Sequence, residues 1–308
     1  MTDNIECVLI AGPTASGKSA VALELARATG GTIVNSDSMQ IYAQLRILSA
    51  RPSPEDEAMA PHALFGFADA FQPFSVARWL ESARPVLDEL RAAGRLAIIT
   101  GGTGLYFKAL EEGLAPAPTS SPEGREAAKR RREALGPEAF HAELVALDPA
   151  SAALNVGDTQ RTLRAWEVVT QSGRGLSDWQ QGEAEPAIDA ARTRRFVIEI
   201  ERPLLYERID GRFDMMMAQG GLEEARAFWA TNPDPMLPAA RALGLPQFKR
   251  LFDGEMTLEE AIIDAKLKTR RYAKRQSTWF RNQTAAWQRL GAGDAEPLAA
   301  SILAQIGL

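Results

Sequence analysis

The stretch "IECVLIAGPTASGKSAVALELARATG", residues 5–30, constrains the chain more than any other. Gly12 to Ser19 fits G-x-x-x-x-G-K-[ST], after a short apolar run that reads as a buried strand and before a helix that Gly30 closes. Glycines let backbone N–H groups converge on phosphate oxygens, and the helix N-terminus adds favourable partial charge. Gly12, Pro13, Thr14, Ala15, Ser16, Gly17, Lys18 and Ser19 are therefore expected to bind a diphosphate, Lys18 as a full charge and Ser19 as a hydroxyl ligand for Mg2+. Nothing in the loop reads a base or a ribose, so it suits a diphosphate ester as well as a nucleotide.

"GTIVNSD" reads as a second strand, "SVARWLESARPVLDELRAAGR" as a helix ended by Gly94, and "LAIITGGTGLY" as a third strand running into a glycine-rich turn. This alternation predicts an α/β fold, a P-loop NTPase-like parallel sheet core with ligands beyond the C-terminal strand ends. The pattern breaks at the Pro/Ser-rich "GLAPAPTSSP", residues 113–122, and is helical from Glu123 to about Gln181. "RRFVIEIERP" restores a strand near residue 195. The expected organisation is a core of residues 1–115 and 191–308, its last part mostly helical, with a helical insertion domain at 116–190. No internal repeat stands out.

Asp37 in "NSDSMQIY" falls at the sheet's C-terminal rim, where it is either a base for a nucleophile or a turn or cap aspartate. Thr103 in "TGGTGLY" falls at the same rim, and alone is compatible with an ordinary turn. "LAIITGG" offers no acid at the strand end, which weakens an ATPase assignment without removing it, since Asp37 can fill that place.

"KLKTRRYAKRQSTWFR", residues 266–281, carries seven positive charges and no acid. On a helix Lys266, Arg270 and Lys274 share one face, beside a row of Arg271, Arg275 and Trp279. A solvated face is the plain explanation of such a run. Interleaved aromatics, a second cluster "KRRR" at 129–132, and Arg161 with Arg164 on one face point instead to RNA, with Trp279 or Phe280 as stacking surfaces. The net charge of −5 excludes a protein that coats nucleic acid indiscriminately. The single Cys7 excludes an internal disulfide, and His62 and His141 are too far apart in sequence to suggest a zinc site. No apolar run approaches the ~20 residues of a membrane helix, and the first residues lack signal-peptide features, so no membrane association and a cytoplasmic location are expected.

The set "GPTASGKS", "SDSMQIY", "PHALFG", "GGTGLYFKAL", "DTQRTLRAWEV", "RIDGRF" and "TRRYAKRQSTWFR", in this order from about residue 8 to 283, resembles the bacterial tRNA dimethylallyltransferase (tRNA isopentenyltransferase) family. The resemblance implies transfer of a dimethylallyl group from dimethylallyl diphosphate to N6 of adenosine 37, next to the anticodon, in tRNAs reading codons that begin with U. It implies a monomeric enzyme acting on the tRNA anticodon stem-loop, with Mg2+ and without ATP consumption. Asp37 matches the family's general base, Thr103 a threonine near the reacting groups, and Arg212 an arginine on the departing diphosphate, with Lys18 alongside. Ser38, Met39 and Gln40 match contacts to the target nucleotide. Arg125, Gln160, Arg161, Thr162, Leu163, Arg164, Arg241 and the segment from Thr269 to Gln276, including Arg270, Arg271, Lys274 and Arg275, match tRNA-contacting positions.

Two segments depart from the family pattern: "LSARP" at 48–52 stands where "GTAKP" is common, and "GLPQ" at 244–247 where "GYRQ" or "GYKE" is. Transfer to free adenine nucleotides, or an RNA-binding P-loop ATPase or kinase, are the alternatives the residues leave open.

Overall fold

β1 (Cys7–Ala11) is buried along its whole length because it lies between two parallel neighbours, which is why it reads as an unbroken apolar run. In this computed structural model, which describes residues 5–115, 117–182 and 184–307, the chain forms two compact units, Met1–Glu111 with Ala187–Leu308, and Glu112–Pro186.

The first unit is an α/β fold. After β1 come α1 (Lys18–Thr29), β2 (Thr32–Asn35), α2 (Pro54–Met59), β3 (His62–Ala63), α3 (Val76–Ala92), β4 (Ala97–Gly101) and α4 (Gly104–Glu112). The sheet is parallel throughout, in the order β3-β2-β4-β1-β5-β6, with β5 at Thr193–Glu199 and β6 at Gln288–Gly291. Register fixes the site: Ala11 lies opposite Gly101, and Asn35 opposite Thr100. The chain therefore leaves β1, β2 and β4 at one rim, through Gly12, Ser36 and Gly102.

Alternate residues Val8 and Ile10, Ile98, Phe196 and Ile198, and Leu290 turn to one sheet face, where Val21, Ala22 and Leu25 of α1 cover them with Ala299 and Ile302. On α3, Trp79 is fully buried, stacks on Tyr106 and donates its indole N–H to the Asn35 carbonyl at 3.1 Å. Cys7 is a buried thiol pushed up to about 12, first by desolvation, and so stays neutral.

The insertion holds α5 (Pro122–Leu147), α6 (Thr159–Ser172) and α7 (Leu176–Gln180) around Leu144, Ala165 and Val169. Arg131 donates to Glu143 at 2.9 Å. Twelve residues of straight helix would separate them by about 18 Å. The contact exists because Gly136, at φ 78°, and Pro137 turn α5 back on itself. The chain rejoins the core at Ala187, whose N–H donates to the Leu110 carbonyl at 2.8 Å. The insertion expected at 116–190 thus compares with a helical unit of 112–186, residue 116 itself lying outside the described residues.

The remaining core is α8 (Arg202–Ala218), α9 (Gly221–Ala230), α10 (Leu245–Phe252), α11 (Leu258–Gln283) and α12 (Ala295–Ile306). Among the described residues no helix is long and apolar enough to cross a membrane.

A Cβ on Gly101 would fall inside the Ser36 backbone, whereas one on the helical Gly211 would meet nothing within 4 Å. Gly101→Ala is expected to cost about 1–3 kcal/mol of stability, and Gly211→Ala to add roughly 0.5–1 kcal/mol. Urea unfolding of both variants against the parent chain measures the two signs.

Candidate functional site

At the rim the phosphate loop takes a strained shape. Ala15 (φ 63°) and Gly17 (φ 95°) both have positive φ, a conformation an alanine holds only where its surroundings impose it. Gly12 is required for space, since a Cβ there would lie 2.7 Å from Ser16 Oγ and 3.1 Å from the Ile198 carbonyl. Lys18 is buried with its Nζ donating to the Pro13 carbonyl at 3.2 Å. Its pKa is lowered to about 8, chiefly by burial, with Asp37 opposing that shift and Arg212 adding a smaller one in the same direction. Ser19 is exposed at the start of α1.

Arg212 reaches the loop from α8, its Nη1 donating to Thr14 Oγ1 at 3.3 Å. Desolvation lowers its pKa from the ordinary arginine value and Asp37 raises it. Asp37 thus stands close enough to both cations for their charges to interact. It is also an Asx turn: Oδ1 accepts from Met39 N at 2.9 Å, while its own N–H donates to Asn35 Oδ1 at 2.9 Å. The turn and the base are not alternatives, because one carboxylate oxygen makes the turn and the second has no partner recorded among the described residues.

Thr103 holds this turn in place. Its hydroxyl accepts from Ser38 N at 3.0 Å and lies 3.2 Å from Ser38 Oγ. Tyr272 of α11 has its phenol beside Thr103 and Gln276, and burial, then the Asp37 charge, push that phenol up so that it stays neutral. Gln276 is 5% exposed. Its Oε1 accepts from Thr14 N and its Nε2 donates to the Gly102 carbonyl, both at 2.9 Å.

Several of these groups border a cavity of about 260 Å³. Thr14, Ala15 and Arg212 form its phosphate side, Asp37, Ser38 and Met39 another wall, and Arg241, Thr269, Tyr272 and Arg275 a polar margin. Leu48, Ile209, Phe213, Met216 and Leu243 supply apolar surface between them. An anion grip, a carboxylate and an apolar slot are the requirements for displacing a diphosphate from an alkyl carbon with a nucleophile that must lose a proton.

The positions assigned to RNA divide. Gln160 and Arg161 are exposed on α6, Arg125 on α5, and Arg241, Arg271, Lys274 and Arg275 on the core unit. Thr162 is 1% exposed with its hydroxyl on the Asp158 carbonyl, because it lies on the inward face of α6. Leu163 is half-buried, and Arg164 is tied to Ser120 and to the Pro118 carbonyl. Arg270 chelates Asp210 and lies 5.3 Å over the Tyr206 ring, while Lys266 pairs with Asp214 at 2.6 Å. The acids that match this row of α11 come from α8, so the acid-free run at 266–281 is half a ladder between helices. In the second cluster, Lys129 and Arg130 lie near Glu126, and Arg131 is on Glu143.

Three side chains have inward tasks where external ones were expected. Gln40 Nε2 donates to the Ser49 and Ala50 carbonyls at 3.1 and 2.7 Å. Gln276 ties loop to loop as described. Phe280 is 1% exposed against Phe107 and offers no stacking surface, and the half-buried Trp279 ring fills the space a Cβ on Gly104 would need. Gln276 has a signal in the sequence, since it interrupts the stripe Ala265, Ala273, Phe280 as the one polar residue on the buried face of α11. In the departing segments, Arg51 turns toward the Tyr42 carbonyl at 3.3 Å, and Leu245 is fully buried.

Among the described residues no group of three or more His, Cys, Asp or Glu is arranged to hold a metal ion.

Comparison with known proteins gives a single answer. The family model "IPP transferase" matches residues 40–283, and "Isopentenyl transferase" matches 5–59. The chain is 50% identical over 284 residues to a tRNA dimethylallyltransferase of Bradyrhizobium sp. (strain ORS 278), covering 92% of each chain. It is 50% identical over 298 residues to one of Phenylobacterium zucineum, covering 96% of each. It is also similar to the crystal structure of a tRNA isopentenylpyrophosphate transferase from Bacillus halodurans, with a TM-score of 0.71 and 30% identity, over 98% of this chain and 97% of that one. With loop, carboxylate and cavity in one unit and these matches along nearly its whole length, the chain belongs to the tRNA dimethylallyltransferase family.

Proposed function

We propose that this enzyme transfers the dimethylallyl group of dimethylallyl diphosphate to N6 of adenosine 37 in the anticodon stem-loop of tRNAs reading codons that begin with U, acting as a monomer in the cytoplasm. The observation that carries the proposal is the cavity in which the phosphate-loop residues Thr14 and Ala15, with Arg212, share walls with Asp37 and with apolar side chains. A kinase or ATPase also uses a carboxylate at this rim but has no need of the apolar slot beside it.

In this scheme the exocyclic amine attacks C1 of the donor as the C1–O bond breaks, and the amine proton passes to the Asp37 carboxylate. The bonding pair leaves with the diphosphate, whose charge is met by the loop N–H groups, Lys18 and Arg212. Ser38 and Met39 hold the base beside Asp37, and Thr103 acts through Ser38. Mg2+ fits a site of this kind if most of its ligands are diphosphate oxygens and water, Ser19 being the protein donor, and when bound it supplies further charge neutralisation. Arg125, Gln160, Arg161, Arg241, Arg271, Lys274 and Arg275 are the exposed groups that would meet RNA. The adenine must leave its stack, a cost of a few kcal/mol that these contacts offset.

Incubation with labelled dimethylallyl diphosphate and total tRNA should yield N6-dimethylallyladenosine, whereas phosphate release from ATP without tRNA labelling would favour the ATPase. Asp37→Ala should lower turnover by roughly 10²–10⁴-fold with little change in tRNA affinity; near-normal turnover would reject the base. Because Lys18 is depressed by burial and only its protonated form grips the diphosphate, this lysine should cost no donor affinity below pH about 8. Above it, affinity should fall by up to about tenfold per unit, a loss that calorimetry should find absent in Lys18→Arg. For Arg271→Ala, tRNA binding titrated against salt should weaken with a slope shallower by about 1. Arg270→Ala should mainly lower the thermal midpoint, since its partner is Asp210.

A further inference from the structure

In-line displacement at C1 places the diphosphate and the amine on opposite sides of that carbon, so the donor's hydrocarbon tail must leave sideways, against the cavity's apolar wall. Building on the donor assignment above, we propose that Leu48 closes this wall as a stop that restricts the donor to a five-carbon chain.

Leu48 borders the cavity while being only 5% exposed, so its side chain is a wall and not a surface flap. Its Cδ2 occupies room left by two glycines: a Cβ on Gly221 would lie 3.2 Å from it, and one on Gly244 3.4 Å. The same Gly244 position is 3.7 Å from the Phe213 ring, and that of Gly221 is 2.8 Å from the Met216 carbonyl. Leu48, Phe213 and Met216 are thus drawn together around the two glycines.

The loop that carries Leu48 is fixed from both sides. Both carboxylate oxygens of Glu224 on α9 accept backbone N–H groups, from Arg46 at 2.7 Å, Ile47 at 2.8 Å and Leu48 at 2.8 Å. Gln40 donates to the carbonyls of the next two residues, Ser49 and Ala50. A carboxylate chelating three successive amides leaves Leu48 little freedom to swing aside for a larger donor.

α8 acts as the ruler. Arg212 marks the phosphate end, and Met216 lies four residues on, about 6 Å along the helix axis. With carbon–carbon bonds of about 1.5 Å, a dimethylallyl group spans roughly 4 Å from C1 to its farther methyl group, and a geranyl chain roughly 9 Å to its end. On that scale the shorter tail ends within the span from Arg212 to Met216, and the longer one overruns it toward the Leu48 side of the wall.

The test compares dimethylallyl and geranyl diphosphate as donors, by kcat/KM for transfer to tRNA and by calorimetric affinity without tRNA, in the parent chain, Leu48→Ala and Met216→Ala. The parent should prefer the shorter donor by 100-fold or more, and Leu48→Ala should narrow that preference at least tenfold in both readouts. Equal use of the two donors by the parent, or an unchanged preference in folded Leu48→Ala, overturns the stop. If Leu48→Ala does not fold, Met216→Ala decides the matter by the same criterion. If the parent binds dimethylallyl diphosphate no better than inorganic pyrophosphate and transfers nothing, the donor assignment fails and the stop with it, an outcome distinct from a chain that uses both donors well.

Discussion

The Gln276 side chain is the constraint on which the rest of the site depends. Its carboxamide links the phosphate loop, through Thr14 N, to the end of β4, through the Gly102 carbonyl. An amide buried to this degree is tolerated only because both its ends are bonded, and removing either partner would expose the full cost of desolvation. The close approach of α11 also explains two glycines of "GGTG": a Cβ on Gly102 would overlap Nε2 of Gln276, and one on Gly104 would enter the Trp279 ring. The phosphate loop therefore takes its position from a helix that begins more than two hundred residues later in the chain.

Electrostatics then give the site its direction. Lys18 is buried and Arg212 half-buried, and among the described residues neither makes an ion pair. Asp37 is the carboxylate whose charge reaches both, and it is partly occupied by its own turn. A polyanion beside them supplies the matching charge, and the low effective dielectric that makes unpaired cations costly makes their contacts with an anion strong. The depressed lysine and the tethered carboxylate are two effects of one arrangement.

Much of this was legible in the chain. The strand–loop–helix context of residues 5–30 carried the motif because β1 is buried on both faces and its loop needs glycine at fixed places. Asp37 and Thr103 were placed at the rim by their positions after strands, and the parallel register brings those strand ends level. The two edge strands were not anticipated. His62–Ala63 has only two residues, and Gln288–Gly291 buries Leu290 alone, so neither shows a period. The basic run at 266–281 is legible only in part for another reason: Asp214 and Asp210, which pair with its Lys266 and Arg270, are on α8, and no window of sequence holds both helices. Phe280 likewise serves a contact with a distant segment, and Gln40 one across its own loop, neither of which a helix or strand period records.

The central claim is that one cavity holds the donor's diphosphate on the phosphate loop with C1 turned to Asp37. A crystal structure with a thiol-linked, unreactive analogue of dimethylallyl diphosphate tests it most directly. The account predicts diphosphate oxygens on the loop amides, Lys18 and Arg212, with C1 facing the Asp37 carboxylate. A diphosphate bound away from the loop, or a carboxylate turned to bulk water with the tail outside the apolar wall, would contradict it.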